Sequence, residues 1–229
     1  MDDLPYRIRR SDRARRARIV VRAEGVEVVV PTRASLRRVE PFVAERRPWI
    51  ERTLRRLREA ERAIEPARLE HGGEVRYLGR RLELRVSVEE GRARARVRQR
   101  GGTLEVTVGR PGRGPVRSAL EAWYRRQARA EVGRRLDAAC ARAGRGYARL
   151  SIRGQRTRWA SCSSSGAMSF NWRLLLAPEA VLDYVVEHEV AHLDVADHSP
   201  RFWALLEQRC PAGREHARWL RRHGAALRL

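Results

Sequence analysis

The chain contains no lysine. All 50 of its basic side chains are arginine, set against 28 acids, for a net charge of +22 over 229 residues. A GC-rich coding sequence can account for arginine in place of lysine, but not for the excess of positive over negative charge. Cysteine is scarce: Cys140, Cys162 and Cys210 stand alone, with no CxxC pair. That excludes a cysteine-based zinc ribbon and offers no disulfide framework, as expected of a reducing cytoplasm. Methionine occurs only at Met1 and Met168. No apolar run approaches 18 residues, so no membrane span is expected. The opening MDDLPYRIRRSDRARRAR lacks the apolar centre of a signal peptide.

What is present is unevenly spread. Residues 1–70 carry 19 Arg and 12 acids, 71–150 carry 20 and 8, and 151–229 carry 11 and 8. The positive field therefore belongs to residues 1–150. Such a field attracts polyanions, nucleic acid among them, although charge alone specifies no partner. Apolar residues make up 42% of the chain, enough for a real core.

Hydrophobic periodicity gives a coarse map. RIVVRAEGVEVVVPT (18–32) predicts a hairpin around Glu24-Gly25. Residues 33–65 have helical spacing, which Pro41 and Pro48 are expected to break into shorter helices. Strands are predicted over 74–88, with a turn at 78–81, and over 93–100 and 103–109 around Gly101-Gly102. The alternating arginines of ARARVRQR suggest a solvent face on an antiparallel sheet. The loop GRPGRGP (109–115) divides the chain into a basic, β-rich region with a helical insert (1–115) and a second region (116–229). The second region opens with a helix over 116–144 that Gly144 caps. Short strands or a hairpin follow in YARLSIRGQ and RTRWASCS, then a strand in AMSFNWRLLLA. A helix starts at Pro178, another follows Ser199-Pro200, and a last one spans 213–223.

The chemistry concentrates in HEVAHLDVADHSPRFW, residues 188–203. His188 and His192 are four apart on a predicted helix, so both rings leave one face, the geometry of a helical metal clamp. Glu189 stands beside the clamp, where it can take a proton from a metal-activated water. A catalytic zinc takes three protein ligands and keeps one open position. His198 is the nearest candidate for the third, with Glu207 or Glu215 from following helices as alternatives. The metzincin pattern fails, because its glycine position holds Val195 and no Met-turn follows. Arg156, Arg158 and Asn171 precede the metal helix and are candidate substrate contacts, the arginines also as oxyanion stabilisers. Trp159, Trp172, Phe202 and Trp203 are expected to pack. Cys162 is expected to be a small buried residue, and His71, His216 and His223 to lie on the surface.

RTRWASCSSSGAMSFNWRLLLAPEAVLDYVVEHEVAHLDVADHSPRFWALL resembles the YgjP-like zinc metallopeptidases, relatives of WLM and SprT-like protease domains. The pattern there runs R-x-R-W-G-S-C-S, G-N-I-x-x-N-W-R-L, H-E-x-x-H and N-H-S-x-x-F-W. The match is strong over about residues 150–206 and looser through WYRRQAR (123–129). Here Ala160 replaces a glycine, and Ala167 and Asp197 replace asparagines. Asp197 is a candidate outer partner of a ligand histidine. The resemblance implies an α+β fold, with an antiparallel sheet packed against a zincin-like HExxH helix. It implies zinc on His188, His192 and His198, with Glu189 as base. The expected function is a zinc-dependent hydrolase of peptide bonds. The rivals are a metal-dependent hydrolase of nucleotide phosphoanhydrides, a protease recruited to DNA by the basic region, and a nucleic-acid-binding protein with a structural zinc.

Overall fold

The computed structural model describes residues 4–22, 25–62, 67–155 and 158–229. It divides into two compact units, residues 1–65 and 66–229. The boundary thus falls at 65/66, ahead of the four strands that the loop at 109–115 groups with the N-terminal region. Those strands belong with the later helices because a long helix packs directly against them.

The first unit is a three-stranded sheet and one helix. Strands β1 (Tyr6–Ser11), β2 (Arg18–Arg22) and β3 (Gly25–Pro31) lie in the order β1-β3-β2. The predicted hairpin is β2–β3, antiparallel; β1, which the sequence pattern does not reveal, pairs with β3 in parallel. Helix α1 (Val39–Arg62) is continuous through both prolines. Pro41 lies in its first turn, where a missing N–H costs nothing, and Pro48 is absorbed at the loss of one backbone bond. Val43 and Ile50 of α1 close on Val26, Val28 and Val30 to form the core.

In the second unit, strands β4 (Glu74–Tyr77), β5 (Arg80–Val88), β6 (Arg96–Arg100) and β7 (Thr103–Val108) form a sheet in the order β4-β5-β7-β6. Leu82, Leu84, Leu104 and Val106 point inward, while Arg81, Arg85, Arg96 and Arg98 face solvent. The pattern read in ARARVRQR is therefore correct for β6, whose pairing with β7 is antiparallel, but β5 and β7 run parallel.

Helix α2 (Arg113–Ala143) covers the inner face and ends at Gly144, which holds φ 61°, the left-handed conformation that glycine adopts without strain. Strands β8 (Arg149–Arg153), β9 (Ala160–Cys162) and β10 (Ala167–Asn171) follow in the order β8-β10-β9. β8 and β9 form no hairpin with each other; β10 lies between them, parallel to β8 and antiparallel to β9. The strand predicted through Ala177 stops at Asn171, and residues 172–176 wind into a 3₁₀ turn. Helices α3 (Glu179–Ala191), α4 (Pro200–Arg209) and α5 (Gly213–His223) complete the unit. The fold class is α+β, with each sheet carrying one parallel pair. Among the described residues no helix is long and apolar enough to cross a membrane.

Two polar devices set the position of α3 against α2. Arg135, 8% exposed, reaches Glu131 on its own helix and both Glu179 and Asp183 at the start of α3, the last at 2.7 Å. One turn before the end of α3, Glu187 accepts from Arg142 at 2.5 Å. Between them, Leu136, Ala139, Val186 and Val190 are fully or almost fully buried.

Candidate metal centre

Helix α3 is apolar on nearly all sides, as a helix wedged between others must be. Its C-terminal turn carries His188, and His192 caps its end. The chain then turns through Asp194, which accepts from Arg145 at 2.7 Å and Arg209 at 2.8 Å. Partial burial alone would raise the Asp194 carboxyl, but these two hydrogen bonds hold it below the ordinary aspartate range. Arg145 follows the Gly144 cap of α2 and Arg209 ends α4, so this carboxylate fastens the turn between the clamp and His198 to two helices. Sequence reasoning misses the staple, since nothing distinguishes these two arginines among fifty.

The three rings converge. Their centroids are 5.0 Å apart for His188–His192, 5.1 Å for His188–His198 and 4.7 Å for His192–His198. One nitrogen from each lies within 4.8 Å of the others. Beneath them is Phe202, 0% exposed, with its ring 4.9, 4.5 and 4.9 Å from His188, His192 and His198. Trp203, 40% exposed, stands beside His198 at 5.8 Å. Both residues precede any site chemistry in packing terms: Phe202 is the floor and Trp203 a wall.

The His192 ring is oriented by a hydrogen bond between Nδ1 and the Val195 carbonyl, 3.1 Å away, which leaves Nε2 for the cluster. The residue at the metzincin glycine position thus serves through its backbone. Asp197, expected as an outer partner, instead accepts from the Ser199 N–H at 3.1 Å and so supports the start of α4.

These residues fit a metal ion. His188 Nε2 and His198 Nε2 are 3.1 Å apart, while two nitrogens bound to one tetrahedral zinc stand about 3.3–3.4 Å apart. Burial, aided by the two neighbouring imidazoles, pushes His188 down to about 4, and His192 also lies below its usual value, burial again leading. Neutral imidazoles with free lone pairs are ligands, not cations. His188 Nδ1 is buried without a partner among the described residues, so the ring's one polar contact is that of Nε2 within the cluster. Three histidine nitrogens are also one of the protein ligand sets of a catalytic zinc.

Glu189, 6% exposed, sits between α3 and the edge strand β9. Burial raises its carboxyl to about 7, against the opposing pull of the Cys162 backbone N–H and of Arg158. The other candidates are placed as follows. Arg158 is exposed and electrostatically coupled to Glu189. Arg156 lies outside the described residues. Asn171, 4% exposed, donates to the carbonyls of Gln155 at 2.6 Å and Arg158 at 3.3 Å and accepts from the Arg173 N–H at 3.1 Å. Its amide hydrogens are committed to holding that loop, which removes it as a substrate donor. Glu207 is exposed and paired at 3.6 Å with Arg214, and neither it nor Glu215 belongs to the cluster. Cys162 stays outside it as well, half-buried beside Glu189. His216 is half-buried against Tyr184, 6.3 Å between rings, while His71 and His223 are exposed.

The YgjP-like metallopeptidase domain matches residues 15–223. The chain belongs to the YgjP-like family. Membership implies a metal ion and a peptide or protein substrate for this YgjP-like chain. Among solved structures, it resembles the metallopeptidase zymogen abylysin of Pyrococcus abyssi, at 26% identity over 39% of this chain and 91% of that one, with a TM-score of 0.35. No curated protein sequence matches the chain. The alanine at position 160, where the resembling pattern has glycine, costs the YgjP-like fold nothing: Leu78 is the one described non-glycine residue with positive φ.

Proposed function

We propose that this YgjP-like chain is a zinc-dependent peptidase in which His188, His192 and His198 hold the ion and Glu189 is the general base. The convergence of three imidazole nitrogens within 4.8 Å, with a buried glutamate next to them in sequence, carries the reading. Zinc bound there would supply Lewis acidity, polarising the scissile carbonyl and acidifying water.

The remaining work falls to the protein. A carboxyl poised near 7 can take a proton from water and return it to the departing amine within one cycle near neutral pH. Cys162 N–H fixes the position of the Glu189 carboxylate. Trp159 O accepts from Asn171 N–H at 2.7 Å and Ser163 N–H donates to Ala167 O at 3.0 Å, so the odd-numbered residues of this segment face β10. The main-chain groups of Ala160 then point to the open edge of β9, the side on which Cys162 meets Glu189. An extended peptide pairing there would lie along the base. Arg158, coupled to Glu189, is the candidate contact for the developing oxyanion.

The test is Glu189→Gln assayed against denatured casein and a panel of nucleoside triphosphates, with metal content measured in parallel. The reading expects casein cleavage by the parent, loss of roughly 10²–10⁴-fold in the variant, and unchanged metal. Full activity in E189Q, or turnover of triphosphates with none of casein, contradicts it.

A further inference from the structure

A second site shares no residue with the histidine cluster. A cleft of about 530 Å³ opens between the segment leading into β6, the end of β7 and the first half of α2. Its rim carries Arg92, Arg94, Arg110 and Arg126, its floor is Val97, Val108 and Ala119, and among the described residues no carboxylate lines it. Arg92 is balanced from outside the cleft by Glu89, at 2.9 and 2.6 Å. Arg94, Arg110 and Arg126 are exposed and have no acidic partner among the described residues.

The backbone holds this arrangement. Glu89 N–H donates to Val108 O at 2.9 Å, and a Cβ on Gly109 would stand 2.1 Å from the Arg92 carbonyl. Glycine there lets the segment with Arg92 and Arg94 lie flat on the end of β7, facing Arg110 and Arg126. Like charges aimed into one concavity repel each other, and the apolar floor weakens their screening, so a bound anion relieves the strain. The guanidinium fork matches phosphate oxygens in pairs.

The charge resumes on the other face of β6, the edge strand of the sheet. Arg96 and Arg98 on β6 are exposed, without acidic partners among the described residues, about 6.6–6.8 Å apart along the strand. A single phosphate would fill the cleft and leave that row unmatched, whereas a chain of phosphates passing over the edge strand reaches both. We propose that this cleft seats backbone phosphates of a nucleic acid and so tethers the chain to it.

The test is binding of a fluorescein-labelled oligonucleotide to the full chain, by anisotropy across a salt series. R94A/R110A/R126A is compared with R37A/R38A/R52A, which removes the same charge from exposed positions of the first unit. The cleft variant is expected to lose affinity roughly tenfold or more and to flatten the log–log salt slope by about 2 to 3; R37A/R38A/R52A should do neither. R94K/R110K/R126K keeps the charge and should keep the slope. Equal losses in both alanine variants overturn the proposal, as does a slope lost in the lysine variant. So does equal competition by polyaspartate of matched charge, which would make the ligand an acidic peptide. Full displacement by inorganic phosphate at constant ionic strength would reduce the cleft to a free-phosphate site and also overturns it.

Discussion

The histidine cluster and the arginine cleft of the second unit both gather nitrogen-bearing side chains, by opposite physical routes. The imidazoles stand over a fully buried phenylalanine, and burial lowers the His188 and His192 rings toward the neutral form in which imidazole can bind a metal. The guanidiniums cannot shed their protons, so Arg94, Arg110 and Arg126 stay exposed around a small apolar floor, where an anion can balance them. The histidine cluster depends on rigid packing beneath it, whereas the arginine cleft depends on spacing and salt.

That contrast can be broken at several points. The largest effect is expected from H188A, which removes a proposed ligand: metal content and peptidase activity should fall to background while the melting temperature of the metal-free protein changes little. Retained activity would separate the cluster from the reaction. Next is F202A. Emptying the floor should cost about 3–5 kcal/mol in denaturant unfolding and weaken metal retention, since among the described residues no other aromatic side chain outside the cluster meets all three rings. A loss of stability with metal affinity intact would make Phe202 mere core. Third is R135L, which takes the Arg135 partner from Glu179 and Asp183 at the start of α3 and leaves Glu131 to Arg134. Glu179 and Asp183 are half-exposed, so about 2 kcal/mol is expected, below the 3–5 kcal/mol of a fully buried pair.

The smallest effect is a pH dependence. Burial would raise the Glu131 carboxyl, but hydrogen bonds from Arg135 and Arg134 hold it below the ordinary glutamate value. Its contribution is therefore complete above the unfolded-state value of about 4.3 and is lost as pH falls through the lower folded value. The urea midpoint of the parent should drop over that window, and E131Q should drop less. An identical pH profile for both would remove Glu131 from the account.

The sequence reveals what is local. His188 and His192 share one helix, hairpins form where Gly25 and Gly101-Gly102 permit tight turns, and Gly144 ends α2 as its type predicts. Pairings set by packing are hidden. The parallel pairs β1–β3, β5–β7 and β8–β10 need partners distant in sequence, and the continuity of α1 through Pro48 depends on the sheet it covers. At the site, Asn171 looks like a substrate donor until the carbonyls of Gln155 and Arg158 claim its amide, and Asp197 looks like a histidine partner until α4 uses it. The Arg145–Asp194–Arg209 staple and the cleft from Arg92 to Arg126 draw on a residue type too common here to mark a site.

The central claim is that the third ligand comes from His198 and not from a downstream glutamate. It is tested most directly by the zinc-to-protein ratio of the purified parent, H198A, E207Q and E215Q chains. The account predicts one equivalent in the parent and in both glutamine variants, and loss of the metal in H198A. Zinc retained by H198A, or lost from either glutamine variant, would contradict it.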